Sequence, residues 1–137
     1  MTGLRAHAPS GRVWAGRVLS GLVVLFLVVV SAVPKLFIPD VSGPVMTQLE
    51  WPAERTLLVA VLELTGALLY ALPRTAVLGA TMLTGLFGGA AAAHLRIGNP
   101  LLSHVLFSVY LGCMVWGALW LRDDRVRALL PIVSRRS

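Results

Sequence analysis

The stretch GLFGGAAAAHLRIGNPLLSH, residues 85–104, decides the fold. It passes from glycines and alanines into His94 and Arg96, turns at Asn99-Pro100, and re-enters an apolar segment that holds His104. Pro100 cannot continue a helix, so the apolar runs on its two sides are separate elements. Upstream lies Thr75–Ala93, TAVLGATMLTGLFGGAAAA, and downstream lies Leu101–Leu121, LLSHVLFSVYLGCMVWGALWL. Each is long enough to cross a hydrocarbon core, which takes roughly 17–25 helical residues.

Working outward, two more runs have this character. They are Val13–Val33, VWAGRVLSGLVVLFLVVVSAV, and Thr56–Leu72, TLLVAVLELTGALLYAL, the second at the short end of the spanning range. The 137 residues are 57% hydrophobic and 13% charged, with a mean hydropathy of +0.81. Ordinary soluble domains carry about a quarter charged residues. Lipid offers the backbone no hydrogen bonds, so these runs are read as helices. The expectation is an all-α, integral membrane four-helix bundle forming one domain over residues 1–137. Residues 34–55 are its one long outer loop. Arg5, Arg12 and Arg17 precede the first run as they would in a signal peptide. That run is longer than an h-region of about 7–15 residues, and no clear A-x-A site follows it before Pro34-Lys35, so it is read as a retained span.

Lys and Arg set the orientation. With four spans, Arg5, Arg12, Arg17, Arg74, Arg122, Arg125, Arg127, Arg135 and Arg136 share one side, against Lys35, Arg55 and Arg96 on the other. The positive-inside rule then places both termini in the cytoplasm. The basic tail follows a span directly, so the +6 net charge reads as attraction to anionic lipid rather than nucleic acid. Eleven Arg against one Lys is in keeping with a GC-rich bacterial source. Pro34, Pro39, Pro44 and Pro52 deny the outer loop a single continuous helix. PVMTQLEW, Pro44–Trp51, reads as a short interfacial helix with Pro at its start. Arg74 sits in a tight turn that makes the second and third runs antiparallel neighbours.

The chemistry-bearing residues are few. Cys113 is the only cysteine, so an internal disulfide and a CxxC thiol relay are excluded, and it reads as packing filler. No phosphate loop, dinucleotide fingerprint or nucleophile–base pair is present. Ser31, Ser103 and Ser108 read as helical polar spots. Glu63 stands out, seven residues into the second run. A carboxylate at that depth is costly and must be paired or protonated. Thr56, Ala60, Gly66, Ala67 and Tyr70 recur around it at helical steps and face inward, whereas Leu58, Val61, Leu62 and Leu69 face lipid. Gly85 and Gly89 form a GxxxG, read as packing within the bundle, with a homo-oligomer seam as the alternative.

Five polar groups are expected to converge on one outward-facing pocket for a small ligand: Lys35, Glu63, His94, Arg96 and His104. Glu63 and Arg96 would be its electrostatic pair. The histidines read either as boundary residues with ordinary hydrogen bonds or as groups that offer hydrogen bonds to a polar or quinone-like head group. No metal site is expected, because two histidines ten residues apart lack further ligands and stand beside cations.

The segment ELTGALLYALPRTAVLGATMLTGLFGGAAAAHLRIGNPLLSH, beginning at Glu63, resembles the DoxX-like family of small bacterial membrane proteins. The features carrying the resemblance are Glu63, Pro73-Arg74, the glycines from Gly79 to Gly89, and His94-Leu-Arg96. Ser31 to Lys35 and Trp120-Leu-Arg-Asp123 extend it to roughly residues 15–131. The resemblance implies a four-helix membrane bundle. By analogy it implies redox association, since relatives include a small membrane subunit of a thiosulfate:quinone oxidoreductase and a membrane component of a thiol-handling complex. The expected function is therefore an accessory subunit in the bilayer with an oxidoreductase partner. No cofactor is evident, and a quinone enters only by family analogy. The alternatives are a small proton-coupled transporter, which would show gradient-driven flux, and a non-catalytic scaffold, in which the pocket residues matter little.

Overall fold

The computed structural model describes residues 10–130, which leaves Arg5, Arg135 and Arg136 outside the described residues. The described residues form helices joined by short turns, with no strand among them. Six helices follow in order: α1 Gly11–Phe37, α2 Pro39–Gln48, α3 Arg55–Ala71, α4 Ala76–Arg96, α5 Leu101–Arg122 and α6 Asp124–Leu129. Three of them, α1, α4 and α5, are long and apolar enough to cross a membrane. The fourth expected run, α3, has 17 residues and one buried carboxylate.

Packing follows from where the small residues fall. α1 lies along α5 and α3, and α4 packs between α3 and α5. The turn through Arg74 is tight, and Thr75 donates its hydroxyl to the Leu69 carbonyl at 2.8 Å. That turn brings α3 and α4 together at Gly79, where an added Cβ would sit 2.6 Å from Tyr70 Cα. Gly16 does the same for α1 and α5, since a Cβ there would come within 2.8 Å of the Ala118 carbonyl. Close backbone approach through small residues is how apolar helices associate without a hydrophobic driving force. Leu27, Leu83, Val115 and Leu119 fill the resulting core around Tyr70. The inward face of α3 is Ala60, Glu63, Gly66, Ala67 and Tyr70, while Leu58, Val61 and Leu62 are exposed.

Several local expectations change. Pro34 does not end the first helix. The segment Phe26–Ala32 is π-helical, and Val33 bonds back five residues to the Val28 carbonyl. This wider winding shifts the hydrogen-bond ladder just where proline lacks its N–H, so the helix continues to Phe37. The loop helix begins at Pro39 rather than Pro44, because Pro39 supplies the favoured first-turn proline. Pro44 is held inside it. Gly85 and Gly89 do not pack inside the chain, since a Cβ at either meets nothing within 4 Å. Their face of α4 points outward, and Gly79 serves the internal contact instead. Cys113 is likewise exposed rather than packing filler.

Candidate functional site

Glu63 is buried on α3 and is met by α1. Lys35, one turn beyond the π-helical segment, donates to Glu63 Oε2 at 2.8 Å. It also donates to Ser31 Oγ at 2.6 Å and to the Ser31 carbonyl at 3.2 Å. An ammonium has three donors, so Lys35 is saturated. The side chains are 18% and 5% exposed for Lys35 and Glu63. Burial at this level is tolerable only because each charge has the other and the hydrogen bonds are good. Ser31 is four residues before Lys35, on the same helical face, so their meeting is a matter of spacing. The second carboxylate oxygen, Oε1, accepts no hydrogen bond from any described residue. An ionised carboxylate has about four acceptor positions, so this leaves open capacity at a buried charge.

The remaining expected residues form two further sets at the same end of α4. Arg96 does not reach Glu63. It donates to Glu50 Oε2 at 3.0 Å and to the Leu49 carbonyl at 2.8 Å. The reason lies in the end of α2. Trp51 N–H bonds to the Met46 carbonyl and Glu50 N–H to the Thr47 carbonyl, a Schellman closure with Glu50 at its left-handed position, φ 56°. Glycine is favoured there, and a glutamate makes the position strained. The Glu50 side chain grips Arg96, which also complements the carbonyl end of α2.

His94 and His104 meet edge to face, with ring centroids 5.5 Å apart. Asn99 Nδ2 lies 2.7 Å from His94 Nδ1, and an amide nitrogen only donates, so Nδ1 accepts and the ring proton sits on Nε2. Asn99 Oδ1 faces Gln48 at 3.4 Å, tying α4 to α2 again. His104 Nδ1 lies 2.8 Å from the Ser103 hydroxyl. The five expected residues thus divide into a buried Lys35–Glu63 pair, an exposed Arg96–Glu50 clasp and a histidine pair. No hydrogen bond or ion pair among the described residues joins the three. No group of three or more His, Cys, Asp or Glu able to hold a metal ion occurs among the described residues.

Glu63 on α3, the Pro73-Arg74 turn, glycine-rich α4 and the His94-Leu-Arg96 ending now stand in one frame, and the sequence profile of the DoxX-like family matches residues 18–118. The chain belongs to the DoxX-like family. It is a membrane protein of that family, with apolar helices suited to a bilayer. No curated protein and no solved structure matches the chain.

Sequence reasoning missed three sets of contacts in this DoxX-like protein. Ser31 holds Lys35, and the four-residue spacing was its signal. Glu50 holds Arg96, for which only the positions of the loop acids gave a hint. At the other end, Tyr70 is fully buried and donates to the Val115 carbonyl at 2.8 Å while accepting from Ser20 at 3.1 Å. Arg122 donates to the Tyr70 carbonyl at 2.8 Å and lies 4.8 Å over its ring. This network ties α1, α3 and α5 together.

Proposed function

We propose that this protein is a four-span bacterial inner-membrane protein with both termini cytoplasmic. It acts as an accessory, redox-associated subunit that holds a small molecule by its polar head near the outer end of the bundle. The observation that carries this reading is Glu63, a buried carboxylate paired through one oxygen and open at the other. Such a site favours a head group that donates a hydrogen bond, as a quinol-like hydroxyl does. The Lys35 ammonium pairs with the carboxylate, so the site does not call for a cation as its ligand. His94 and His104 supply further polar contacts, and the Arg96–Glu50 clasp holds the loop helix over the rim. α3 completes the membrane crossing at the short end of the spanning range. The arginines of the described residues support the orientation: Arg12, Arg17, Arg74, Arg122, Arg125 and Arg127 lie at one end, and Lys35, Arg55 and Arg96 at the other.

Duroquinol binding to the protein in nanodiscs tests the reading, with duroquinol dimethyl ether as the control that cannot donate. The quinol binds about tenfold more tightly than the ether, as expected for a hydrogen bond to a charged acceptor. The paired replacement Lys35→Met with Glu63→Leu removes the difference. Equal binding of the two compounds overturns the reading. Gradient-driven flux in sealed vesicles would instead favour the proton-coupled transporter, whose Glu63 would have to release Lys35 to work.

A further inference from the structure

A groove of about 350 Å³ lies between α4 and α5, and neither Lys35 nor Glu63 lines it. Its size falls in the range of small-molecule sites, roughly 300–1,000 Å³. Its shape comes from glycines that the chain's own packing does not need. A Cβ at Gly88 meets nothing within 4 Å, and one at Gly112 meets only the Phe87 ring edge, at 3.9 Å. Glycine within a helix is unfavourable relative to alanine, so these positions keep the groove open at a conformational cost. Phe87 forms an apolar wall. At one end Trp116 Nε1 donates to Thr84 Oγ1 at 2.9 Å, so those two polar groups satisfy each other.

Ser108 is different. It lines the groove and is only 6% exposed, and its hydroxyl makes no hydrogen bond with any described residue. Its oxygen is not sealed inside the bundle and has no protein partner, and lipid offers none, so the groove is where its partner belongs. Ser108 and Gly88 stand near the middle of helices long enough to cross a membrane. A charged partner is excluded at that depth. A hydroxyl donor calls for an acceptor oxygen. We infer that the α4–α5 groove binds a neutral, lipid-soluble carbonyl compound, whose oxygen accepts from Ser108 and whose apolar frame lies along Phe87, Gly88 and Gly112. The inference does not rest on the reading of the Lys35–Glu63 pocket.

Cys113 lines the same groove, is exposed, and is the only cysteine in the chain, so its thiol is a built-in reporter. The full-length protein in nanodiscs is labelled with a lipid-soluble maleimide in the presence of 10-nonadecanone or, as the control without oxygen, nonadecane. The ketone protects Cys113 at a concentration about fivefold lower than the alkane, the ratio one neutral hydrogen bond gives. Ser108→Ala removes that difference while leaving labelling without additive unchanged. Gly88→Leu, at a position with free space for a side chain, fills the groove and abolishes protection by the ketone. Ether-linked lipid, which has no ester carbonyl, distinguishes the source. Unchanged labelling there supports the proposal, and faster labelling overturns it, because it gives the groove to the bilayer's own esters. Ketone and alkane acting alike on the wild type overturns it. Oxidant-driven Cys113 dimers that form regardless of ketone also overturn it, because they give the groove to a second copy of the chain.

Discussion

Replacing Lys35 with methionine leaves Glu63 buried and alone, and the magnitude of the loss is bounded from two sides. Removing one partner of a buried ion pair destabilises by about 3–5 kcal/mol. A stranded carboxylate, however, escapes part of that penalty by taking up a proton. For an ordinary glutamic acid that uptake costs about 3.7 kcal/mol at pH 7 and about 1 kcal/mol at pH 5. Lys35→Met is therefore expected to lose about 3–4 kcal/mol at pH 7 and distinctly less at pH 5. Glu63→Leu alone strands an ammonium with only its two Ser31 contacts and loses a similar amount at pH 7. The double replacement leaves no uncompensated charge and is expected near the wild type, since swapping a buried pair for apolar residues is often neutral or stabilising. The assay is reversible unfolding in mixed micelles, read by tryptophan fluorescence, as a double-mutant cycle at both pH values. Single losses that simply add in the double mutant would refute the reasoning, because they show the 2.8 Å contact carries no coupling.

The other expectations are simpler. Gly79→Ala drives a Cβ into the Tyr70 and Leu69 backbone and lowers stability by more than about 2 kcal/mol, whereas Gly85→Ala, with open space around it, is neutral or stabilising by up to about 1 kcal/mol; unfolding midpoints compare them. Tyr70→Phe leaves the Val115 carbonyl and the Ser20 hydroxyl without their partner and costs about 1–3 kcal/mol in the same assay. Glu50→Gly relieves the left-handed strain of about 1 kcal/mol while losing an exposed ion pair worth about 0–1 kcal/mol, so it is near neutral, while Glu50→Ala keeps the strain, loses the pair and is measurably worse. Asp123 caps α6 through Arg125 N–H, and the hydrogen-bonded Arg125 side chain holds its carboxyl below the usual carboxylate range. A lowered value means the cap is fully present above the ordinary carboxylate range and is lost only as pH falls through the lowered value. Amide protection in α6 is thus flat from pH 5 to 8 and falls in stronger acid, and Asp123→Ala removes about 1 kcal/mol at neutral pH.

The inward face of α3 was legible because burial in a helix repeats every three to four residues, and Ala60, Glu63, Gly66, Ala67 and Tyr70 keep that step. The partner of Glu63 was not. Lys35 and Arg96 are both long cations near one end, and the choice between them depends on the rotation of α1 beyond residue 25. That rotation is set by the π-helical winding, which no residue pattern in FLVVVSA announces. Arg96 is diverted by Glu50, whose position depends on a left-handed turn at a non-glycine residue. The GxxxG of α4 misled because small residues permit close approach without specifying by what. Gly79 meets α3, whereas Gly85 and Gly89, on another face of the same helix, meet nothing in the chain. Ser108 was read as an ordinary helical serine, and only the groove beside it distinguishes it.

The central claim is that Glu63, held by Lys35, forms a site for a small polar-headed molecule. Native mass spectrometry of the protein, extracted gently with its own lipids, tests it most directly. A retained small molecule bearing a hydrogen-bond donor, present on the wild type and lost on the double replacement Lys35→Met with Glu63→Leu, is the predicted result. A spectrum of the folded wild type with no such molecule, identical to that of the double replacement, would contradict the claim and leave the pair as a structural clamp between α1 and α3.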